Sequence, residues 1–410
     1  MPEQPSTLRA LFGVSDYRRL WAIGAGVGLA RWLEFLALGV YAYQLTGSAQ
    51  LVALLAIVHM VPYVAFGFVV GALADLFNRR RLLVLSFLGG LVTAVVMAVL
   101  AVSGNAGYWS VIFAAMVSGA IWITDMPVRR RLLVEAAGAT RMASALGFDN
   151  STSYATRAIG PLAGGAIYQW LGLEGIFCLT ALVYLGCLVL SARLAPTPPS
   201  AASGEGNRMS PLALIVPPRE LIFNRPFLLM IGITVVYNVW CFPFVTMVPV
   251  IAQKDFALTP AAVGALSACD GIGGTLGAIA VGLLATPRTL FRIYFMGTLA
   301  FLLLLVALSL YLTIEMAVAC LLLIGVASAC FSATQYALVY TMSSPEARGR
   351  ATGFLSIFIG TAILGFYNTG YLFARFSSPD ALKIMVLEGL IPLLVLGILW
   401  VRSKPPLPGP

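Results

Sequence analysis

The chain has 410 residues, of which 60% are hydrophobic and only 10% charged, with a formal net charge of +9. An ordinary soluble domain carries about 25% charged residues, and no single water-facing core could hide so much apolar surface. A soluble globule is excluded, so lipid acts as solvent, and the positive charge has to be read by its position along membrane spans rather than as a nucleic-acid signal.

The first residues contain Arg9, Arg18 and Arg19 without a short apolar core and cleavage site, so no removable leader is expected. A helix needs about 20 apolar residues to cross the hydrocarbon core. Turn and charge signals then divide the chain into twelve expected spans, at roughly 20–45, 50–74, 82–103, 108–128, 142–170, 175–194, 226–252, 260–285, 289–310, 314–342, 349–375 and 380–401. Alternating ten-residue strands, the mark of a membrane barrel, do not occur. The reading is therefore an all-α membrane protein. The Pro/Ser/Gly-rich stretch 196–225 reads as a cytoplasmic linker between six spans in 1–195 and six in 226–410.

With the N-terminus in the cytoplasm, 20 of the 25 Lys and Arg residues fall in cytoplasmic loops or tails, including Arg79, Arg80, Arg81 and Arg129, Arg130, Arg131. Lys254, Arg375 and Lys383 fall outside, and Arg31 and Arg157 lie within spans. Cytoplasmic loops carry the basic excess, so both termini are expected in the cytoplasm; the expected location is a bacterial inner membrane. Losing one span would scramble this alternation. The six cysteines lie in apolar runs without metal or redox spacing, and read as small packing residues.

The halves echo each other. "GALAD" (71–75) ends span 2 and "GLLAT" (282–286) ends span 8; "RMASALGF" (141–148) opens span 5 and "RGRATGF" (348–354) opens span 11. Repeated helical units around a central site are the plan of many secondary transporters.

"GALADLFNRRR" (71–81) resembles the loop 2–3 signature of the major facilitator superfamily, G-x-L-A-D-R-x-G-R-(R/K)-x. Gly71, Leu73, Ala74, Asp75, Arg79 and Arg80 match, while Leu76 and Asn78 depart. "YRRLW" (17–21), "YQLTGS" (43–48) and "ADLFNRRRLLVLS" (74–86) are similar to the branch of the enterobactin exporter and related drug exporters. The resemblance implies two pseudo-symmetric six-helix bundles and a gating role for Asp75, Arg79 and Arg80. In that role Asp75 latches onto a helix N-terminus, which favours negative charge, or onto a loop arginine; a plain topological anchor is the alternative. In span 5, "GFDNSTSYATRAIGPLAGG" (147–165) resembles the family's antiporter pattern at Gly147, Gly160, Pro161, Gly164 and Gly165, with Thr156 where a glycine is usual. Small residues let helices approach and proline bends them, so Gly160 and Pro161 are gating candidates.

Ionisable groups inside spans are costly and mark function. Arg31 and Glu34 share a face of span 1, and Asp149 and Arg157 share a side of span 5. Since spans 1 and 5 are neighbours in the fold that the resemblance implies, Arg31 is expected to face Asp149 and Glu34 to face Arg157. Branch members usually carry Gly-Asp where this chain has Ala30-Arg31, so the usual coupling acid does not carry over. Arg31 is then a candidate for an anionic substrate. Glu34, Asp149, Arg157 and Asp270 (span 8) are the candidates for proton coupling, against a purely structural ion network. Asp125 reads as the partner of the nearby arginines, Glu388 as lying on a peripheral helix, and His59 as structural.

In the same fold spans 1, 4, 7 and 10 line the cavity. Tyr237, Asn238 and Trp240, with Gln335, Tyr336, Tyr340, Tyr367 and Asn368, offer an aromatic, hydrogen-bonding wall suited to amphipathic molecules. No Walker sequence, HExxH motif or Ser/His/Asp order occurs, and a single histidine excludes most triads and metal cages. A non-enzymatic chain without cofactor or metal is expected, monomeric, carrying a small molecule with H+ as coupling ion. Three readings stand: a proton-coupled exporter of a siderophore- or drug-like solute, an importer or uncoupled facilitator, and a non-transporting sensor, scaffold or lipid-handling protein.

Overall fold

A backbone that crosses lipid must satisfy its own N–H and C=O groups, so long apolar runs become long helices. The computed structural model describes residues 7–76, 78–195, 221, 223–344 and 347–403. A short α1 (Thr7–Gly13) precedes α2 (Ser15–Thr46), α3 (Ala49–Leu76), α4 (Arg79–Val102), α5 (Tyr108–Ala137) and α6 (Met142–Ala192). At 1.5 Å per residue, the 51 residues of α6 would run far beyond the ~30 Å of a hydrocarbon core. They are two spans folded at Gly172, whose φ of 64° suits glycine.

The second half continues with α7 (Arg225–Val236), a π-helical turn (Tyr237–Cys241), a 3-10 turn (Phe242–Met247) and α8 (Val248–Lys254). Pro243 and Pro249 lack the amide hydrogen an α-helix interior needs, which is why one expected span is broken into four pieces. Then follow α9 (Pro260–Leu284), α10 (Leu290–Leu310), α11 (Ile314–Met342), α12 (Arg348–Ile359), α13 (Ala362–Arg375) and α14 (Ser378–Ser403). With α6 counted twice, and α7–α8 and α12–α13 each counted once, the described residues hold twelve passes. Most of the linker 196–225 lies outside the described residues.

One helix overruns its expected end. α5 continues past residue 128 through "RRRLLVEAA" to Gly138, where φ turns to 78°. Arg, Leu and Ala are strong helix formers, so a cation run that reads as a loop is about two and a half more turns of helix. The departure at Asn78 is also explained: it caps α4, its side chain accepting from the Arg80 amide at 3.0 Å.

Contacts divide the chain into two compact units, Met1–Tyr41 with Val58–Arg208, and Ala42–Ile57 with Met209–Pro410. In the first, Arg19 pairs with Asp16 (2.8 Å) and donates to the Arg193 carbonyl (2.7 Å), while Arg141 donates to the Ala10 carbonyl (3.1 Å). These bonds tie α1, α2 and both ends of α6 together. In the second, α9 and α11 touch backbone to backbone: a Cβ on Gly273 would lie 1.8 Å from the Leu322 carbonyl oxygen. Lipid is as apolar as leucine, so such close packing, rather than burial from water, holds the helices. Val102, Leu182, Leu283 and Ile391 accordingly face outward. Trp170 beside the Gly172 fold is 80% exposed, as befits a tryptophan at the bilayer interface.

Candidate functional site

In the first unit, α2, α5 and α6 bring charges together. Asp125 and Arg129 are four residues apart on α5 and share a face. Arg129 Nε donates to both Asp125 oxygens (3.1 and 3.2 Å), and its Nη1 donates to Asp149 Oδ1 on α6 (2.5 Å). Arg130 Nε takes the other Asp149 oxygen (2.8 Å), and its Nη2 donates to Asn150 Oδ1 (2.7 Å). Asp125, Arg129 and Asp149 are each at most 4% exposed. Two acids and two bases balance, which is the condition for keeping charges in a low-dielectric interior. Gly24 of α2 makes room: a Cβ there would fall 2.4 Å from Arg129 Nη1.

Asp149 therefore belongs to Arg129 and Arg130, not to Arg31 as expected from the sequence. The reason is the overrun of α5, which carries two arginines into the packed helix. Arg31 instead lies over the Trp122 ring, its Cζ 5.7 Å from the centroid. The same ring stacks on His59 (5.6 Å, 23°) and on Tyr63 (5.9 Å, 25°), and His59 Nδ1 meets the Ala115 carbonyl at 3.3 Å. Among the described residues Arg31 forms no ion pair, and its Nε is buried without a hydrogen-bond partner. It is a cation held on the face of the Trp122 ring.

Glu34 is 5% exposed. Tyr184 Oη donates to its Oε2 at 3.4 Å, and the Ser118 and Thr180 hydroxyls face the same carboxylate. Arg157, the expected partner of Glu34, stacks over Trp32 at 5.4 Å. The two buried acids thus differ in kind: Asp149 sits between guanidinium groups, Glu34 among hydroxyls.

The glycine pattern in α6 is its seam against α2. A Cβ on Gly160 would lie 2.4 Å from Trp32 Cβ, and one on Gly164 3.3 Å from Leu33 Cα. Where the pattern has Thr156 for glycine, the space comes from the other helix: a Cβ on Gly28 would lie 2.7 Å from Thr156 Oγ1. Pro161 is buried in the same stretch of α6. Gly147 has open space around it.

Of the gating candidates, the side chain of Asp75 lies outside the described residues. Arg79 Nη1 pairs with Glu135 Oε1 at 2.7 Å, and Arg80 Nη2 donates to the Ala192 carbonyl.

In the second unit, the Tyr237 ring stacks on Phe331 at 3.6 Å, and Thr234 Oγ1 meets the Tyr294 hydroxyl at 2.7 Å and Gln335 Nε2 at 3.5 Å. Asn238 Nδ2 donates to the Thr234 carbonyl at 2.9 Å. Tyr237, Asn238 and Gln335 are all buried. Trp240 Nε1 (3.0 Å) and Asn368 Nδ2 (2.6 Å) both donate to Glu388 Oε2 of α14, so the helix read as peripheral supplies an acceptor to two wall candidates. Tyr336, Tyr340 and Tyr367 are exposed, and Arg348 Cζ lies 5.7 Å from the Tyr340 ring centroid. Asp270 is buried on α9 with its backbone against Gly325 of α11.

Asp125 pairs with Arg129 as expected from the sequence. Trp122 and Tyr184 carry no signal in the sequence, each being one ring among many in apolar helices.

A family model described as Major Facilitator Superfamily matches residues 20–366 and 241–410. The chain is 21% identical over 278 residues to the "Staphyloferrin A transporter" of Staphylococcus aureus (strain NCTC 8325 / PS 47), covering 67% of this chain and 68% of that protein. Among solved structures it is similar to the nucleoside transporter NupG (TM-score 0.72, 14% identity, 94% and 99% of the chains covered). It is also similar to a bacterial homolog of the human lysosomal transporter Spinster (0.70, 14%, 96% and 96%) and to a D-xylose–proton symporter (0.71, 14%, 93% and 96%). At these identities the structural likeness carries the fold alone.

Proposed function

Because this chain belongs to the Major Facilitator Superfamily, and so is a membrane transporter rather than an enzyme, we propose that it is a proton-coupled exporter of a small amphipathic or anionic solute, siderophore- or drug-like, working by alternating access. The observation that carries this reading is Arg31, a cation on the Trp122 ring without an ion pair among the described residues, three residues from the buried carboxylate of Glu34. A solute acid would take the guanidinium, which bonds carboxylates through a planar fork, and rings beside it suit an apolar body. The likeness to a staphyloferrin A transporter supports a solute of that general kind.

In this proposal Glu34 carries the proton, because its partners are hydroxyls and its titration breaks no ion pair. The Asp125–Arg129–Asp149–Arg130 network holds α5 against α6, Arg157 clamps Trp32, and Asp270 is a second acid for the proton path. Within the second unit, Tyr237, Asn238, Trp240, Gln335, Tyr336, Tyr340, Tyr367 and Asn368 are the candidate solute-binding set. Asp75, Arg79, Arg80, Gly160 and Pro161 govern the gate. The chain works as a monomer in a bacterial inner membrane with both termini cytoplasmic, as bundles 1–195 and 226–410 joined by 196–225.

Direction depends on how solute and proton couple. A solute that displaces the proton of Glu34 exchanges with it, which drives export. A solute anion that occupies Arg31 together with a proton on Glu34 enters with it; the adjacency of the two residues is what supports the importer reading. Purified protein in liposomes under an imposed pH gradient, screened against siderophores, dyes and organic anions, decides. Solute moving against the proton supports export, solute moving with it supports import, and no solute-dependent proton flux sinks the coupling.

A further inference from the structure

We infer that α10 and α14 form a binding site for an anionic phospholipid. Between them lies a cavity of about 540 Å³, within the range of about 300–1,000 Å³ of small-molecule sites. Its walls are Phe295, Leu394 and Trp400 with the apolar faces of both helices, and Gly397 keeps it open, since a Cβ there would already press on Phe295 Cζ at 2.8 Å. Arg292, in the first turn of α10, and Arg402, in the last turn of α14, line the same cavity. Both are exposed, and neither has an ion-pair or hydrogen-bond partner among the described residues.

This pairing of an apolar groove with two unsatisfied cations at one end selects the occupant. A neutral lipid or an apolar helix would fill the groove and leave both guanidinium groups without an anion. A free phosphate would satisfy the arginines and leave the groove empty of anything that prefers it to water. An anionic phospholipid does both, with an acyl chain along Phe295 and Trp400 and the phosphate at the arginines. Basic pockets between spans on the cytoplasmic side hold such head groups, and the basic-residue count puts Arg292 and Arg402 on that side. Trp400 lies at the level where tryptophans meet the interface.

The test is native mass spectrometry of the purified full chain with dioleoyl phosphatidylglycerol against dioleoyl phosphatidylcholine. Phosphatidylglycerol is expected to be retained preferentially, with retention falling about fivefold for each of Arg292→Gln and Arg402→Gln and unchanged for Arg288→Gln, an exposed neighbour outside the groove. Because the three arginines are exposed, these variants should unfold at the wild-type temperature. Equal retention of the two lipids, or equal loss in Arg288→Gln, overturns the site. Displacement of bound lipid by glycerol 3-phosphate at the same concentration would show a phosphate site without an acyl seat, and also overturns it.

Discussion

Arg129 Nη1 and Asp149 Oδ1 stand 2.5 Å apart, joining α5 to α6 through side chains that are almost wholly removed from the surface. The same guanidinium reaches Asp125 through Nε, so one residue bridges two acids. Removing it strands Asp125 and leaves Asp149 to Arg130 alone, and breaking a buried ion pair from one side costs roughly 3–5 kcal/mol. Arg129→Ala should therefore lose stability of that order in detergent-solubilised protein. Arg129→Lys should recover only part, since an ammonium is a point charge without a fork for two carboxylates. Wild-type unfolding of Arg129→Ala would mean that Arg130 alone compensates Asp149.

The seam between α2 and α6 makes a sharper demand. A Cβ on Gly28 would meet Thr156 Oγ1 at 2.7 Å, closer than unbonded atoms tolerate. Gly28→Ala should slow transport and lower the unfolding temperature, and the double variant Gly28→Ala/Thr156→Gly should restore both by moving the space to the opposite helix. Overpacking of this kind typically costs about 1–3 kcal/mol. Gly147, from the same sequence pattern, has nothing within 4 Å, so Gly147→Ala should be silent. If the double variant is no better than the single, the seam is not set by this contact.

The passes themselves were legible, because length and hydropathy register directly how much chain lipid can cover. Boundaries were less so at α5, where Arg129, Arg130 and Arg131 look like a cytoplasmic anchor and are helix. Pairing was less legible still. In a water-soluble helix the apolar stripe marks the inward face; here both faces are apolar, so nothing in the residue order told that Tyr237 stacks inward on Phe331 or that Trp240 turns to Glu388. The π-helical turn at Tyr237–Cys241 adds a residue to the helical repeat and rotates these side chains, which a regular 3.6-residue count cannot anticipate. Arg31 and Glu34 stood out for the opposite reason: a charge in such a run is conspicuous, although its partners were not.

Glu388 gives a test of that hidden pairing. Its Oε2 accepts from both Trp240 and Asn368, and a donor left unsatisfied away from water costs about 1–3 kcal/mol. Glu388→Ala should destabilise the protein by that order for the more deeply placed donor. Glu388→Gln, which keeps a carbonyl oxygen at the same place, should cost less. A double-mutant cycle with Asn368→Ala should return a coupling energy within the 0.5–3 kcal/mol of residues in one network. Strict additivity would show that the bond does not matter to stability.

Arg31 and Glu34 separate binding from coupling. Arg31→Gln removes the cation but leaves a side chain to lie on Trp122, so the solute concentration for half-maximal transport should rise at least tenfold, about 1.4 kcal/mol, if the solute is an anion, and should hardly change if it is neutral. Glu34→Gln keeps a hydrogen-bond acceptor for Tyr184 Oη but cannot exchange a proton. It should therefore abolish acceleration by a pH gradient while leaving solute exchange at equal pH on the two sides of the membrane. The two variants give opposite patterns only if one residue holds the solute and the other the proton. Loss of equal-pH exchange in Glu34→Gln, with the fold intact by thermal unfolding, would move Glu34 into the solute's own contacts and leave Asp270 as the acid to test next, by the same pair of measurements on Asp270→Asn.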